Sequence, residues 1–456
     1  MVLALFKRFM TIWRVAAIGF MLTLGGRPVL AAPPASPAPY APAPTPALPP
    51  APPPGPGTVL TWDDCVRLAI KENPDLQSSR EGVLNSDAVR MGAYSALYPQ
   101  ISASFSDNRS YRGATLYSPY VYSTSYQEQI SLSQTIFNGF ATKGNIDQAR
   151  AQLNLAFANL DSEKATVSYN LKASFAQLLY AQKLVKISQN VIDIQQGNAR
   201  LVKLLYEGGS EDKGNMELSQ ANLDQALYSL DQAIRTRDLS GVQLGVYIGQ
   251  NLTPPVVAEG DLLTDVLPTM PDFNKLAVLT PAYFQHKAEV DAAAAGITIA
   301  TSGWYPTVTA SASAYRADPQ FPIKDDGWSA GFTVSYPIFE GGATYFDVKA
   351  ADASFRQALD NLRSGTNDAA LTLAQMFKSM VDQEDNVRIQ QELLNATALR
   401  YKIAEADYRN GLMSFQDFNT ITESYVGQLQ TLLSAQLSAV LAEASWEQAR
   451  GLGAIP

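Results

Sequence analysis

The chain has 456 residues, with 34 Lys+Arg against 43 Asp+Glu and a formal net charge of −9. That acidity offers no basic face for nucleic acid, and 46% hydrophobic with 10% aromatic residues is not a disordered composition. A single Cys (Cys65) and a single His (His286) leave no four-ligand zinc site and no internal disulfide. Thiol–histidine or serine–histidine chemistry would have to use His286, which reads as an ordinary helix-surface residue. No carboxylate pair stands out for acid–base work, so no metal, no cofactor and no enzyme active site is expected.

In chain order, Lys7, Arg8 and Arg14 flank an apolar run, Val15 to Leu24, and Val29-Leu30-Ala31 fits a small-residue cleavage site. Residues 1–31 therefore read as a secretory signal peptide. The run is too short for a membrane span, which needs about 20 residues. Cleavage would remove four basic and no acidic residues, taking the charge from −9 to −13. No Cys follows the site, so a lipid anchor is not expected. Residues 32–58 hold 13 of the 27 prolines and read as an extended Pro-rich linker.

From residue 59 the chain is a duplication. "SALYPQISASFS" (Ser95–Ser106) returns as "SGWYPTVTASAS" (Ser302–Ser313), an offset of 207. "TIFNGFAT" (Thr135–Thr142) returns as "PIFEGGAT" (Pro337–Thr344), and "YEGGS" (Tyr206–Ser210) as "YRNGL" (Tyr408–Leu412), both offset by 202. The first repeat spans 59–252, with strands at about 101–111 and 125–137 and a long helix hairpin at about 139–250. A connection covers 253–273. The second repeat spans 274–453, with strands at about 307–316 and 328–338 and a hairpin at about 342–450.

The strands alternate. Val308, Ala310, Ala312 and Ala314 face one way; Thr309, Ser311, Ser313 and Tyr315 face the other. In the first repeat Tyr126, Ile130, Leu132 and Ile136 share a side, with Glu128 out of place among them. Four amphipathic strands cannot close a barrel, which takes about eight, and open edges in lipid leave backbone groups unpaired. If the sheet meets a membrane, several chains must pool strands, with the apolar face out. Tyr98, Phe137, Trp304, Tyr305, Tyr336 and Phe339 gather at one end of the strands, and Trp328 with several tyrosines at the other, as interfacial girdles would.

Each hairpin begins with an uninterrupted helix of about 66 residues, ~100 Å at 1.5 Å per residue. Every seventh residue from Leu359 is Leu359, Thr366, Leu373, Met380, Val387, Leu394, Tyr401, Tyr408. The shifted series is Phe157, Lys164, Leu171, Leu178, Val185, Ile192, Ala199, Tyr206. A sustained heptad predicts coiled-coil packing, and periodicity alone also fits an ordinary coiled-coil rod.

The opening "LTWDDCVRLAIKENPDL" (Leu60–Leu76), the two Tyr-Pro joints, the two Ile-Phe-x-Gly joints and the two Tyr-x-x-Gly turns resemble the TolC family of bacterial outer-membrane efflux proteins. The resemblance covers about residues 59–453. It implies an α plus transmembrane β fold, in which each chain gives four strands to a 12-stranded barrel of a homotrimer set on a long α-helical periplasmic tunnel. It also implies a passive exit duct of a tripartite efflux or type I secretion system. Its partners would be a periplasmic adaptor (membrane fusion) protein, an inner-membrane RND or ABC-type transporter and outer-membrane lipid.

By the same resemblance the turns sit at the periplasmic tip. Gly208, Gly209, Ser210, Asn410, Gly411 and Leu412 would meet the adaptor. Tyr206, Asn215, Tyr408 and Asp417 would form the constriction, with Asp417 either in an acidic ring or capping its helix. Met413 stands where some relatives carry a locking basic residue, so closure is expected to rest on hydrogen bonds of Tyr206, Tyr408 and Asn215. A secreted trimeric adhesin with a small barrel anchor is the alternative. It would carry one anchor segment at one end, whereas here the strand pairs recur mid-chain.

Overall fold

The computed structural model describes residues 59–456, apart from 115, 118, 252–255, 263 and 265–268. The signal peptide and the Pro-rich linker expected at 1–31 and 32–58 lie outside the described residues, as does part of the 253–273 connection.

A two-residue strand, β1 (Val59–Leu60), leads into α1 (Trp62–Glu72) and α2 (Pro74–Ala93). Thr61 starts α1 with a capping box. Its hydroxyl accepts from the Asp64 N–H, and the Asp64 carboxylate accepts from the Thr61 N–H, satisfying two orphan donors at once. Asn73 ends α1 and caps α2, with Pro74 at the first helical position, where a missing N–H costs nothing. Strands β2 (Gln100–Arg112) and β3 (Val121–Asn138) follow, then α3 (Ala141–Glu207) and α4 (Lys213–Ile248).

The second repeat runs through β4 (Val257–Ala258), the short α5 (Phe273–Ala277), α6 (Pro281–Thr301), β5 (Thr307–Asp318), β6 (Asp325–Ser335), α7 (Ala343–Arg409) and α8 (Phe415–Ala449). Helices α3 and α7 both have 67 residues and begin and end 202 residues apart. β6 stops at Ser335, short of the expected 338, because Pro337 has no N–H to give a ladder.

The four long strands form one antiparallel sheet in the order β2-β3-β5-β6. One face carries Ile101, Phe105, Ile130, Leu132, Val308, Ala310, Ala312, Ala314, Trp328, Phe332 and Val334 in register. The other carries Ser102 opposite Ser131 opposite Ser313 opposite Ser329. The hydroxyls of Ser102 and Ser131 are 2.8 Å apart, those of Ser313 and Ser329 3.0 Å. Glu128, the misfit of the sequence pattern, does lie on the apolar face. There it stands between Phe105 and Arg316 in a cross-strand row that ends on Asp326. From Val308 to Ala314 the apolar rows extend ~20 Å along the strand at ~3.4 Å per residue, close to the ~25 Å band of outer-membrane barrels.

The expected phase fails at one point. A bulge between Thr135 and Phe137 removes Ile136 from the ladder, so Phe137, not Ile136, stands opposite Val308. An inserted residue flips every side chain after it.

Midway along the long helices lies the main core, built from Leu171, Phe175, Leu178, Leu179, Leu244 and Ile248 with α1 and Val256. β1 and β4 pair in parallel at its edge. Gln182 clasps Ala258 there, donating to its carbonyl at 2.9 Å and accepting from its N–H at 2.8 Å. The heptad series holds at Leu171, Leu178 and Val185, then the buried seam moves to Ser188, Gln195 and Val202. Tyr206 therefore falls off the seam. In α7 the series ends on buried Tyr408. Among the described residues no helix is long and apolar enough to cross a membrane.

Candidate functional site

The two helix turns are built by the same steps. In the first, Gly209 takes φ +76°, its N–H donates to the Tyr206 carbonyl at 3.0 Å, and the Ser210 N–H donates to that of Leu205 at 2.8 Å. In the second, Gly411 takes φ +73°, its N–H donates to the Tyr408 carbonyl at 3.0 Å, and the Leu412 N–H donates to that of Asp407 at 2.9 Å. These bonds satisfy the last carbonyls of each helix, and glycine supplies the left-handed residue. The return helices are then capped by matching residues. Asp212 accepts from the Asn215 N–H at 2.9 Å, and Ser414 accepts from the Asp417 N–H at 3.2 Å. Gly208, Gly209, Ser210, Asn410, Gly411 and Leu412 are all exposed at these turns.

The side chains break the symmetry. Tyr408 is only 2% exposed. Its ring stacks on Phe418 with centroids 4.7 Å apart and planes at 9°, and its hydroxyl donates to Glu211 Oε2 at 2.7 Å. The other oxygen of Glu211 accepts from Asn215 Nδ2 at 2.9 Å. One carboxylate thus ties the second hairpin to the start of the first hairpin's return helix. Burial, then the bond to Glu211, push the Tyr408 phenol well above its ordinary value of 10.0. One turn-pair earlier, Tyr401 lies between Phe418 and Tyr425, and burial raises it to about 12.

Tyr206 differs. It is 37% exposed, and its hydroxyl makes no hydrogen bond among the described residues. The cause lies in the duplication. Where Tyr408 has Glu211 as its acceptor, the residue 202 positions after Glu211 is Met413. Where Phe415 and Phe418 flank Tyr408, the matching residues beside Tyr206 are Lys213 and Met216. Of the three residues expected to hold the tip by hydrogen bonds, Tyr408 and Asn215 meet, and they meet on Glu211. Glu211, which joins them, is not among the residues expected at the constriction. The available signal was the Glu211/Met413 difference between otherwise matching turns. Asp417 is exposed and accepts from the Ser414 hydroxyl at 2.7 Å, so within one chain its contact is a helix cap. Higher up, Asn222 Nδ2 donates to Asn419 Oδ1 at 3.0 Å, a second link between the hairpins, here from one return helix to the other.

At the barrel end, Phe137, Phe140 and Tyr305 form an aromatic trio with centroids 5.4 to 6.4 Å apart. Tyr98, Trp304, Tyr336 and Phe339 stand exposed at the same end of the strands. Trp328, opposite Ala314, marks the far end of the apolar rows. Phe140 holds φ +72° where the second repeat has Gly342 at φ +85°.

Residues 65–250 and 280–452 match the family described as Outer membrane efflux protein. Outer membrane efflux protein BepC of Brucella suis biovar 1 is 24% identical over 372 residues, 76% of this chain and 79% of that one. Among solved structures, the outer-membrane channel OprN aligns with a TM-score of 0.75 at 18% identity, over 87% of this chain and 91% of that one. The Campylobacter jejuni CmeC outer membrane channel aligns at 0.74 and 16% identity, over 86% and 85%. The match spans both halves of the duplication, and the fold is the one these channels share. The chain belongs to the outer membrane efflux protein family, and its place is the bacterial outer membrane, as an exit duct of an efflux system.

Proposed function

We propose that three copies of the chain pool their strands into a 12-stranded barrel above a helical tunnel. The observation that carries this is the open sheet itself. It has one oily and one hydroxyl-lined face, and among the described residues both edge strands, β2 and β6, lack a partner on one side. In lipid such edges must be closed, and four strands are too few to close alone. The polar face, rich in Ser, Thr and Gln, then lines an aqueous bore, and transport through it needs no chemistry by the chain. Energy comes from an inner-membrane RND or ABC-type transporter reached through a periplasmic adaptor, which meets the exposed turns Gly208–Ser210 and Asn410–Leu412.

The tip residues Tyr206, Asn215, Tyr408 and Asp417 form the constriction in this reading. Its support is the Tyr408–Glu211 bond, which links the hairpins where their helices end. The test is the mass and conductance of detergent-extracted protein. A trimer that opens steps in planar bilayers is expected; a monomer that leaves bilayers silent rejects the reading.

A further inference from the structure

We propose that copies of this chain join through β6 of one and β2 of the next in a single antiparallel register, with Thr333 opposite Ser106, Gly331 opposite Asn108 and Ser329 opposite Ser110. This rests on the barrel reading and specifies the surface by which a second copy is recognised.

The duplication supplies the rule. Residues of β2 recur in β5 after 207 positions, and residues of β3 recur in β6 after 202. Applied to Ser102 opposite Ser131 in the first hairpin, these offsets give Thr309 opposite Thr333 in the second, which is the pairing observed. The repeat therefore conserves register, although the two hairpin loops differ in length. The contact between repeats is β3 against β5, with Ser131 opposite Ser313. Its counterpart between chains is β6 against the next copy's β2. The same offsets carry Ser131 to Thr333 and Ser313 back to Ser106.

Two further observations agree. The carried register keeps faces together. Thr333, Gly331 and Ser329 meet Ser106, Asn108 and Ser110 on the hydroxyl side, while Val334 meets Phe105 and Trp328 meets Tyr111 on the apolar side. A slip by one residue would set every polar side chain against the apolar face. Between them Phe332 and Ala330 come to lie opposite Asp107 and Arg109, which already pair with each other within their own strand at 3.1 Å.

The joint below the strands also has an occupied and an empty version. Phe137 and Phe140 of the first repeat pack on Tyr305 of the second. The counterpart of Phe137 is Phe339, 88% exposed, and that of Tyr305 is Tyr98, 66% exposed, while Phe140 is replaced by Gly342, so the joint between copies would hold two rings in place of three. Gly139 touches Ser302 and Tyr305 so closely that a Cβ would meet the Ser302 carbonyl at 2.4 Å, whereas Gly341 has nothing within 4 Å. Each chain thus shows one filled joint and two unfilled halves of another.

Disulfide trapping in the full chain tests the register. Cys65 is buried, and desolvation raises its thiol to about 12, so it can stay. Paired variants Ser106→Cys/Thr333→Cys, Asn108→Cys/Gly331→Cys and Ser110→Cys/Ser329→Cys are oxidised in outer-membrane fractions and run without reductant. Facing residues in a ladder have Cα atoms about 4.5–5.5 Å apart, within disulfide reach, and those two steps away do not. Covalent dimers and trimers are expected from the facing pairs, at least tenfold above Ser104→Cys/Thr333→Cys and Asn108→Cys/Thr333→Cys. Stronger cross-linking by either displaced pair overturns the register. So does the absence of cross-links from all three facing pairs in protein of oligomeric mass. A monomeric mass for the unaltered chain overturns the barrel reading as well, so the two failures are told apart. Three pairs are used so that loss of one variant to misfolding leaves the register decided.

Discussion

Tyr408 and Glu211 meet hydroxyl to carboxylate at 2.7 Å, 197 residues apart in sequence and on different hairpins. It is the shortest side-chain link between the two turns, and the duplicated position offers no second one. Removing the hydroxyl alone isolates its role. Tyr408→Phe keeps the stack on Phe418 and deletes a bond to a charged acceptor, worth ~1.5–3 kcal/mol. Single-channel conductance should rise and the closed fraction fall, with little change in thermal unfolding. Unchanged conductance would remove Tyr408 from the gate.

Alkali should act through the same bond. The Tyr408 phenol is held above its ordinary value, first by burial and then by Glu211. A group raised in the folded state contributes its stabilisation fully below the unfolded value and loses it as pH climbs through the folded one. The tip link should therefore persist through pH 9 and fail only above the ordinary tyrosine range near 10. Tyrosinate absorbance should show two late-titrating hydroxyls, of which Tyr408→Phe removes one and leaves that of Tyr401.

The two faces of the sheet make opposite demands. Phe332 lies on the apolar face and Thr333 on the hydroxyl face, one residue apart. Phe332→Lys places a charge toward lipid and costs ~2–4 kcal/mol near the bilayer midplane. Heat stability and outer-membrane yield should drop. Thr309→Lys, on the same hydroxyl face but away from the joining edge, should assemble normally and shift conductance toward anions. Equal loss of assembly from both variants would mean that the sheet has no wet face.

The strand-to-helix joint should be intolerant at one glycine. Gly139 sits at φ +65°, and a Cβ there would strike the Ser302 carbonyl. Gly139→Ala carries both the left-handed penalty and a backbone clash, ~2 kcal/mol or more together, and should lower the melting temperature clearly. Phe140→Gly removes the strain at φ +72° but breaks the trio with Phe137 and Tyr305. Its net effect, read in the same melt, should be a smaller loss.

Much of this architecture is written locally. Period-two strands, the prolines at 99 and 306, the glycines of the turns and the doubled spacing each act on near neighbours, so the elements can be read in order. What escaped depends on distant geometry. The bulge at Ile136 answers to the pairing with β5, and no residue at that point advertises it. The slip of the buried seam after Val185 follows from packing between helices, which a strict heptad does not encode. Glu211 is an ordinary acid in a polar turn until the fold brings Tyr408 to it. Asp417 attracted attention by position, yet its neighbour Ser414 already occupies its carboxylate.

The unbroken length of α7 has a mechanical consequence. A rod of 67 residues is ~100 Å long, so tilting its root by one degree sweeps its far end sideways by roughly 2 Å. That displacement approaches the span of the Tyr408–Glu211 contact itself. A rotation of a few degrees where the helix leaves the sheet is leverage enough to part the two residues, with no helix unwinding along the way.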